Sequence, residues 1–209
     1  MSRLVLAALF GAASAGAPAA TIEARARDAT GKPVADAAVF AIPAAGGVEA
    51  RNVRAAIEQV DREFVPHVSV IQQGTSVTFP NRDPIRHHVY SFSAAKPFEI
   101  KLYSGNSPEV VFDKPGVVTL GCNIHDWMIA YIVVVPTPHF ARTDESGLAR
   151  LRDLPAGSYE VRAWHPQQRT ALVPHNITVA AAAESVASFA FDLLPRKAKF
   201  KPPLDRLRY

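Results

Sequence analysis

Turn signals recur at short intervals along this chain, and that rhythm limits what it can fold into. Asp28-Ala29-Thr30-Gly31-Lys32-Pro33, Pro43 with Gly46-Gly47, Gln73-Gly74, Asp113-Lys114-Pro115-Gly116, Asp144-Glu145-Ser146-Gly147 and Leu154-Pro155-Ala156-Gly157 each interrupt the sequence. Between them lie short runs of period-two alternation, at residues 21–27, 76–79, 87–92, 98–103 and 158–164. Seventeen prolines, spread along 209 residues, suit such strands and oppose long helices. The pattern predicts an all-β chain built as sandwiches. Residues 130–135 are almost entirely apolar and predict a central strand buried on both faces. Residues 51–64 stay ambiguous. Val53, Ile57, Val60 and Phe64 have helical spacing, while Ile57-Glu58-Gln59-Val60 also reads as a strand.

The length allows one domain or two small ones, and 48% hydrophobic residues support real cores. Arg3, the apolar residues 4–13 and the patterns Ala13-Ser14-Ala15 and Ala17-Pro18-Ala19 read as a secretory signal peptide over residues 1–20. No later stretch is long and apolar enough for a membrane helix. The expected location is therefore a periplasm or another exported compartment. The formal charge of +4 is uneven. Residues 196–209 carry six Lys/Arg and one Asp, so without that tail and Arg3 the body has −2. The basic character belongs to an appendage. It reads either as a solvated terminus or as a contact for an acidic partner or membrane surface. An exported chain with no basic patch interleaved with aromatics is not expected to bind nucleic acid.

Chemistry concentrates in Gly121-Cys122-Asn123-Ile124-His125-Asp126-Trp127-Met128. Cys122 is the only cysteine, so it cannot form a disulfide within the chain. Thiolate, imidazole and thioether in one loop form the donor set of a one-electron copper site. Such a site needs a second imidazole, and His87 offers it from Asn81-Arg82-Asp83-Pro84-Ile85-Arg86-His87-His88-Val89. Strand alternation sets His87, Val89 and Ser91 on one face and His88, Tyr90 and Phe92 on the other. Methionine is a poor zinc ligand, which disfavours zinc. No G-x-S-x-G elbow or phosphate-cradling glycine loop is present.

Residues 64–138 resemble the cupredoxin family, in particular its plastocyanin and amicyanin branch. The resemblance rests on Phe64-Val65-Pro66, Gly74-Thr75-Ser76-Val77-Thr78-Phe79, Asn81 six residues before His87, and Gly121-Cys122-x-x-His125-x-x-Met128. It implies a Greek-key sandwich with one type 1 copper. His87, Cys122 and His125 would be close ligands and Met128 the weak axial one. His88 stands where such proteins usually have an asparagine that pins the cysteine loop. It is expected either to take over that role or to face solvent. Asn81, His88 and Trp127 are the expected supporting or docking residues. His125 is expected to be partly exposed, with Trp127, Met128 and Ile129 as an apolar rim.

The flanks resemble a different module. Gly31-Lys32-Pro33-Val34-Ala35-Asp36-Ala37-Ala38-Val39 and the stretch from Thr143 to Val161 resemble a smaller carboxypeptidase-regulatory-like, or transthyretin-like, sandwich. The expected division is 1–20 signal peptide, 21–45 with 140–195 as that split sandwich, 46–139 as the cupredoxin domain and 196–209 as the basic tail. Two modules in series is the other arrangement left open. The combination is similar to exported proteins labelled methylamine utilisation proteins.

These readings make the chain a periplasmic electron carrier and not an enzyme. Its partners would be redox proteins such as a c-type cytochrome or a periplasmic dehydrogenase. The alternatives are an open catalytic copper centre, with Glu99 approaching the metal, a storage-type copper site, or a binding module without redox activity. His67 is expected to be a surface or hydrogen-bonded residue. Trp164-His165-Pro166 is expected to pack structurally, and His139 and His175 to lie in loops.

Overall fold

The computed structural model describes residues 19–46 and 53–195. The signal-peptide reading falls almost wholly outside them, and the tail 196–209 and Gly47 wholly so. Among the described residues there is no helix, and the chain is all-β as expected. Its strands are β1 (Ala20–Asp28), β2 (Ala38–Pro43), β3 (Arg54–Ala56), β4 (Glu58–Val60), β5 (Glu63–Val65) and β6 (Val68–Gln72). Then come β7 (Thr75–Thr78), β8 (His87–Ser91), β9 (Phe98–Tyr103), β10 (Val110–Phe112), β11 (Gly116–Gly121) and β12 (Ile129–Val135). The last five are β13 (Phe140–Arg142), β14 (Leu148–Leu154), β15 (Gly157–Trp164), β16 (His175–Val179) and β17 (Glu184–Phe191).

The first two strands pair with the last five. One sheet has the order β14-β1-β17 and the other β13-β2-β15-β16. Alternation decides which side chains turn inward. Ile22, Ala24 and Ala26 of β1 and Phe189 and Phe191 of β17 are buried, facing Val39, Ala41, Tyr159 and Val161 of the second sheet in one core. Two turns of similar build hold this outer unit. Asp28 Oδ1 accepts from Thr30 N, Thr30 Oγ1 and Lys32 N, and Asp144 Oδ1 accepts from Ser146 N, Ser146 Oγ and Leu148 N.

Among the described residues, the strands between β2 and β13 pair only among themselves. A five-stranded sheet, β6-β12-β11-β8-β9, packs on a three-stranded one, β10-β7-β3. Val89, Val118, Leu120, Ala130 and Ile132 of the first meet Val77 and Phe112 of the second in the inner core. Residues 53–65 are not helical. Apolar residues three or four apart mimic a helix because a β4–β5 hairpin intervenes, with Asp61 (φ 52°) and Arg62 (φ 58°) at its turn. Ile57 and Phe64 both reach the core from this broken ribbon.

β12 explains its own apolarity. Ala130, Ile132 and Val134 face the inner core, while Val133 and Val135 join Ala38 and Val68 in a third cluster. Phe40, Val70, Tyr131, Phe140 and Trp164 pack against that cluster, which joins the inner and outer units. His175 begins β16, so it is a strand residue and not the loop residue expected.

Candidate metal centre

β8 and β11 bring the site together. Alternation along β8 turns His87 inward with Val89, and an irregularity in the β8–β9 register falls between these two residues. β11 ends at Gly121, and the next residue is Cys122. Gly121 lets the Tyr90 ring pass close over the backbone here. A Cβ on it would lie 2.7 Å from the Tyr90 ring of the neighbouring strand. The loop then bends back, with Met128 N–H donating to His125 O at 2.9 Å, and enters β12.

The result is a buried triangle of donors. Cys122 Sγ lies 3.9 Å from Nδ1 of His87 and 3.9 Å from Nδ1 of His125, and the two nitrogens are 3.2 Å apart. A point in the triangle lies about 2.0 Å from both nitrogens and about 2.4 Å from sulfur. Those separations match bonds to a first-row metal, roughly 2.0–2.1 Å to nitrogen and 2.3 Å to sulfur. All three residues are at most 2% exposed. Among the described residues, this is the group of His, Cys or acidic side chains arranged to hold an ion. Met128, 1% exposed, packs in the same core cluster as Cys122.

Asp83 fixes the first imidazole. Its Oδ2 accepts from His87 Nε2 at 2.7 Å, which leaves Nδ1 of His87 as the lone-pair nitrogen facing Cys122. The same carboxylate accepts from the backbone N–H of Asp61 and of Arg62, at 2.7 and 2.8 Å. Burial pushes its pKa up, but the hydrogen bonds from Arg62, His87 and Asp61 outweigh this and hold the carboxyl below the usual carboxylate range. Asp83 therefore joins the strained hairpin turn to a donor histidine. The sequence reading did not single it out, although it stands four residues before His87.

Asn81 supports this loop from within. Its Nδ2 donates to Ile85 O and Tyr103 O, and its Oδ1 accepts from Asp83 N. Tyr103 stands opposite His87 in the strand register. Burial raises its hydroxyl to about 12, and that hydroxyl donates to Phe79 O. Burial, and next the nearby His87, lower the pKa of His125 and favour its neutral, lone-pair-bearing form.

Three expectations need correction. His125 is not partly exposed: it is 1% exposed, and its ring lies 5.0 Å from that of Trp127. His88 is 6% exposed, so it does not face solvent. Nor does it hydrogen-bond the cysteine loop, because neither ring nitrogen has an aligned partner among the described residues. It lies on the far side of β8, with Nε2 3.0 Å from the Glu99 carboxylate. Glu99 thus stands against His88 and outside the donor triangle. His67 is as expected, with Nδ1 3.0 Å from Ile129 O.

No protein-family profile matches this sequence, and no curated relative does. Solved structures do resemble it. One is a copper-containing nitrite reductase from Thermus scotoductus SA-01, with 25% identity over 54% of this chain and 28% of the reductase, and a TM-score of 0.37. Another is a purple cupredoxin from Nitrosopumilus maritimus, with 23% identity over 40% of this chain and all of that one, TM-score 0.34. A third is the amicyanin of Paracoccus versutus, with 17% identity over 46% of this chain and 91% of that one, TM-score 0.34.

Proposed function

We propose that this protein is an exported blue-copper electron carrier holding one type 1 copper. The observation that carries the reading is the buried triangle of one sulfur and two imidazole nitrogens, sized for a single ion. Soft thiolate with imidazole, and a thioether at Met128, suits both copper oxidation states. Copper bound there would supply a one-electron couple. The chain's own residues do the rest. Asp83 holds the proton on His87 Nε2, Cys122 gives up its thiol proton, and the surrounding core keeps water out.

Residues 1–20 are proposed as a signal peptide removed on export. Residues 46–139 are proposed as a cupredoxin domain set within a carboxypeptidase-regulatory-like sandwich of residues 21–45 and 140–195. The chain would pass electrons between redox proteins, such as a c-type cytochrome and a periplasmic dehydrogenase, with no substrate chemistry of its own. Ile85, Ile124 and Ile129, each within two residues of a proposed ligand, are 37–40% exposed. Exposed apolar side chains around a redox centre suit weak, transient docking.

The test is the visible and EPR spectrum of the mature protein with Cu(II), beside Cys122→Ser. The expected result is an intense blue thiolate band with narrow copper hyperfine splitting, absent from the variant. A pale tetragonal spectrum would replace the carrier with an open centre. Absence of stoichiometric copper would leave a β-sandwich binding module.

A further inference from the structure

A donor imidazole can meet solvent only at its outer ring edge, and what covers that edge governs what reaches the donor cluster from that side. His125 does not meet solvent. It is 1% exposed, and its imidazole packs against the Trp127 indole at 5.0 Å, tilted by 52°. Trp127 itself is only partly buried and stands against the inner core from its margin. The indole therefore has one side on the donor and another toward water. The other donors are walled differently. His87 is 0% exposed behind Asp83, and Cys122 and Met128 lie within the core cluster. The indole Nε1 is buried without a hydrogen-bond partner among the described residues.

We propose that Trp127 is the lid of the donor cluster. It covers the His125 side and excludes water and small anions. In this way it makes the site one that exchanges electrons without accepting an external ligand. The proposal rests on the copper reading above, but the lid is a property of the chain and can be tested without metal.

The variants are Trp127→Ala and Trp127→Phe, the second keeping an aromatic cover. Metal-free protein is treated with diethyl pyrocarbonate, and modified histidines are mapped by mass spectrometry. His175, which is exposed, serves as the internal standard. In the wild type His125 should react roughly tenfold or more slowly than His175, because a buried ring reacts only through local opening. Trp127→Ala should bring His125 to within about threefold of His175 while His87 stays protected. Trp127→Phe should behave as wild type. Continued protection of His125 in Trp127→Ala overturns the lid. Loss of protection at His87 together with His125 does so too, since it would mark general loosening.

Copper stoichiometry, and then azide added to the Cu(II)-loaded proteins, complete the test. A new azide-dependent absorption in Trp127→Ala, absent from wild type and Trp127→Phe, is the expected outcome. A wild type that takes up no copper ends the copper reading and leaves the modification data to judge the lid. A wild type that takes up copper, beside a Trp127→Ala protein with His125 still protected, ends the lid and leaves the reading intact.

Discussion

The donor residues divide by how openly the sequence displays them. Cys122, His125 and Met128 fall in one loop and carry chemistry that ordinary packing does not need, so they stand out without a structure. His87 follows from strand alternation and the need for a second imidazole. Asp83 could not be found by periodicity, because it lies in a loop and works through a bond four residues along the chain. The sequence does not place His88, because its environment depends on β9, which brings Glu99 beside it. Asp83 is also the most informative residue to change. In Asp83→Asn an amide replaces an acceptor-only group that faces three donors, so at least one contact becomes donor against donor. Copper affinity should fall about 10–100-fold, the usual scale for a group that orients a ligand histidine. Competition with a chromophoric chelator would measure it, and an unchanged affinity would detach Asp83 from the site.

Among the elements, the turns of the outer unit were plainly legible. Asp28 and Asp144 each open a run with Gly three residues on, and each carboxylate collects the next N–H groups. The β4–β5 hairpin was not legible. Its turn uses Asp61 and Arg62 at positive φ where Asn-Gly would have signalled it, and Asp83, remote in sequence, holds their N–H groups. The glycines of the two Asp turns make a contrasting pair. Gly147 has φ +75°, and a Cβ there would lie 2.4 Å from Ala26 O, whereas Gly31, at φ +84°, has nothing within 4 Å. Gly147→Ala should cost about 1–3 kcal/mol from backbone strain, and more than Gly31→Ala, since it adds a clash with β1. Urea denaturation of the two variants would measure the difference, and equal losses would contradict the clash.

At the scale of the whole molecule, two sandwiches share a third apolar cluster. Its Val133 and Val135 come from the inner unit, and Trp164 packs on it from the outer one, 5.5 Å from Tyr131 ring to ring. The sequence marked residues 130–135 as buried on both faces but could not say that the second face meets another module. Trp164→Ala should lower stability by on the order of 2–3 kcal/mol, below the range for a fully buried tryptophan because this one is partly exposed. It should also separate the units. Trp127 fluorescence, then the sole tryptophan signal, should report a transition distinct from that seen by far-UV circular dichroism. Coincident transitions would mean that the units are joined by other contacts.

The parallel pairing of β1 with β17 has a mechanical consequence. These strands lie beside one another through eight register pairs, from Thr21 with Glu184 to Asp28 with Phe191. The chain enters the fold at one end of this ladder and leaves it at the other. Tension applied between the two termini would load those rungs in shear, all together and not one by one. The inner unit hangs between β2 and β13, outside the line of force. A pull on the ends of the chain would therefore spend itself on the outer sandwich before any strain reached Cys122.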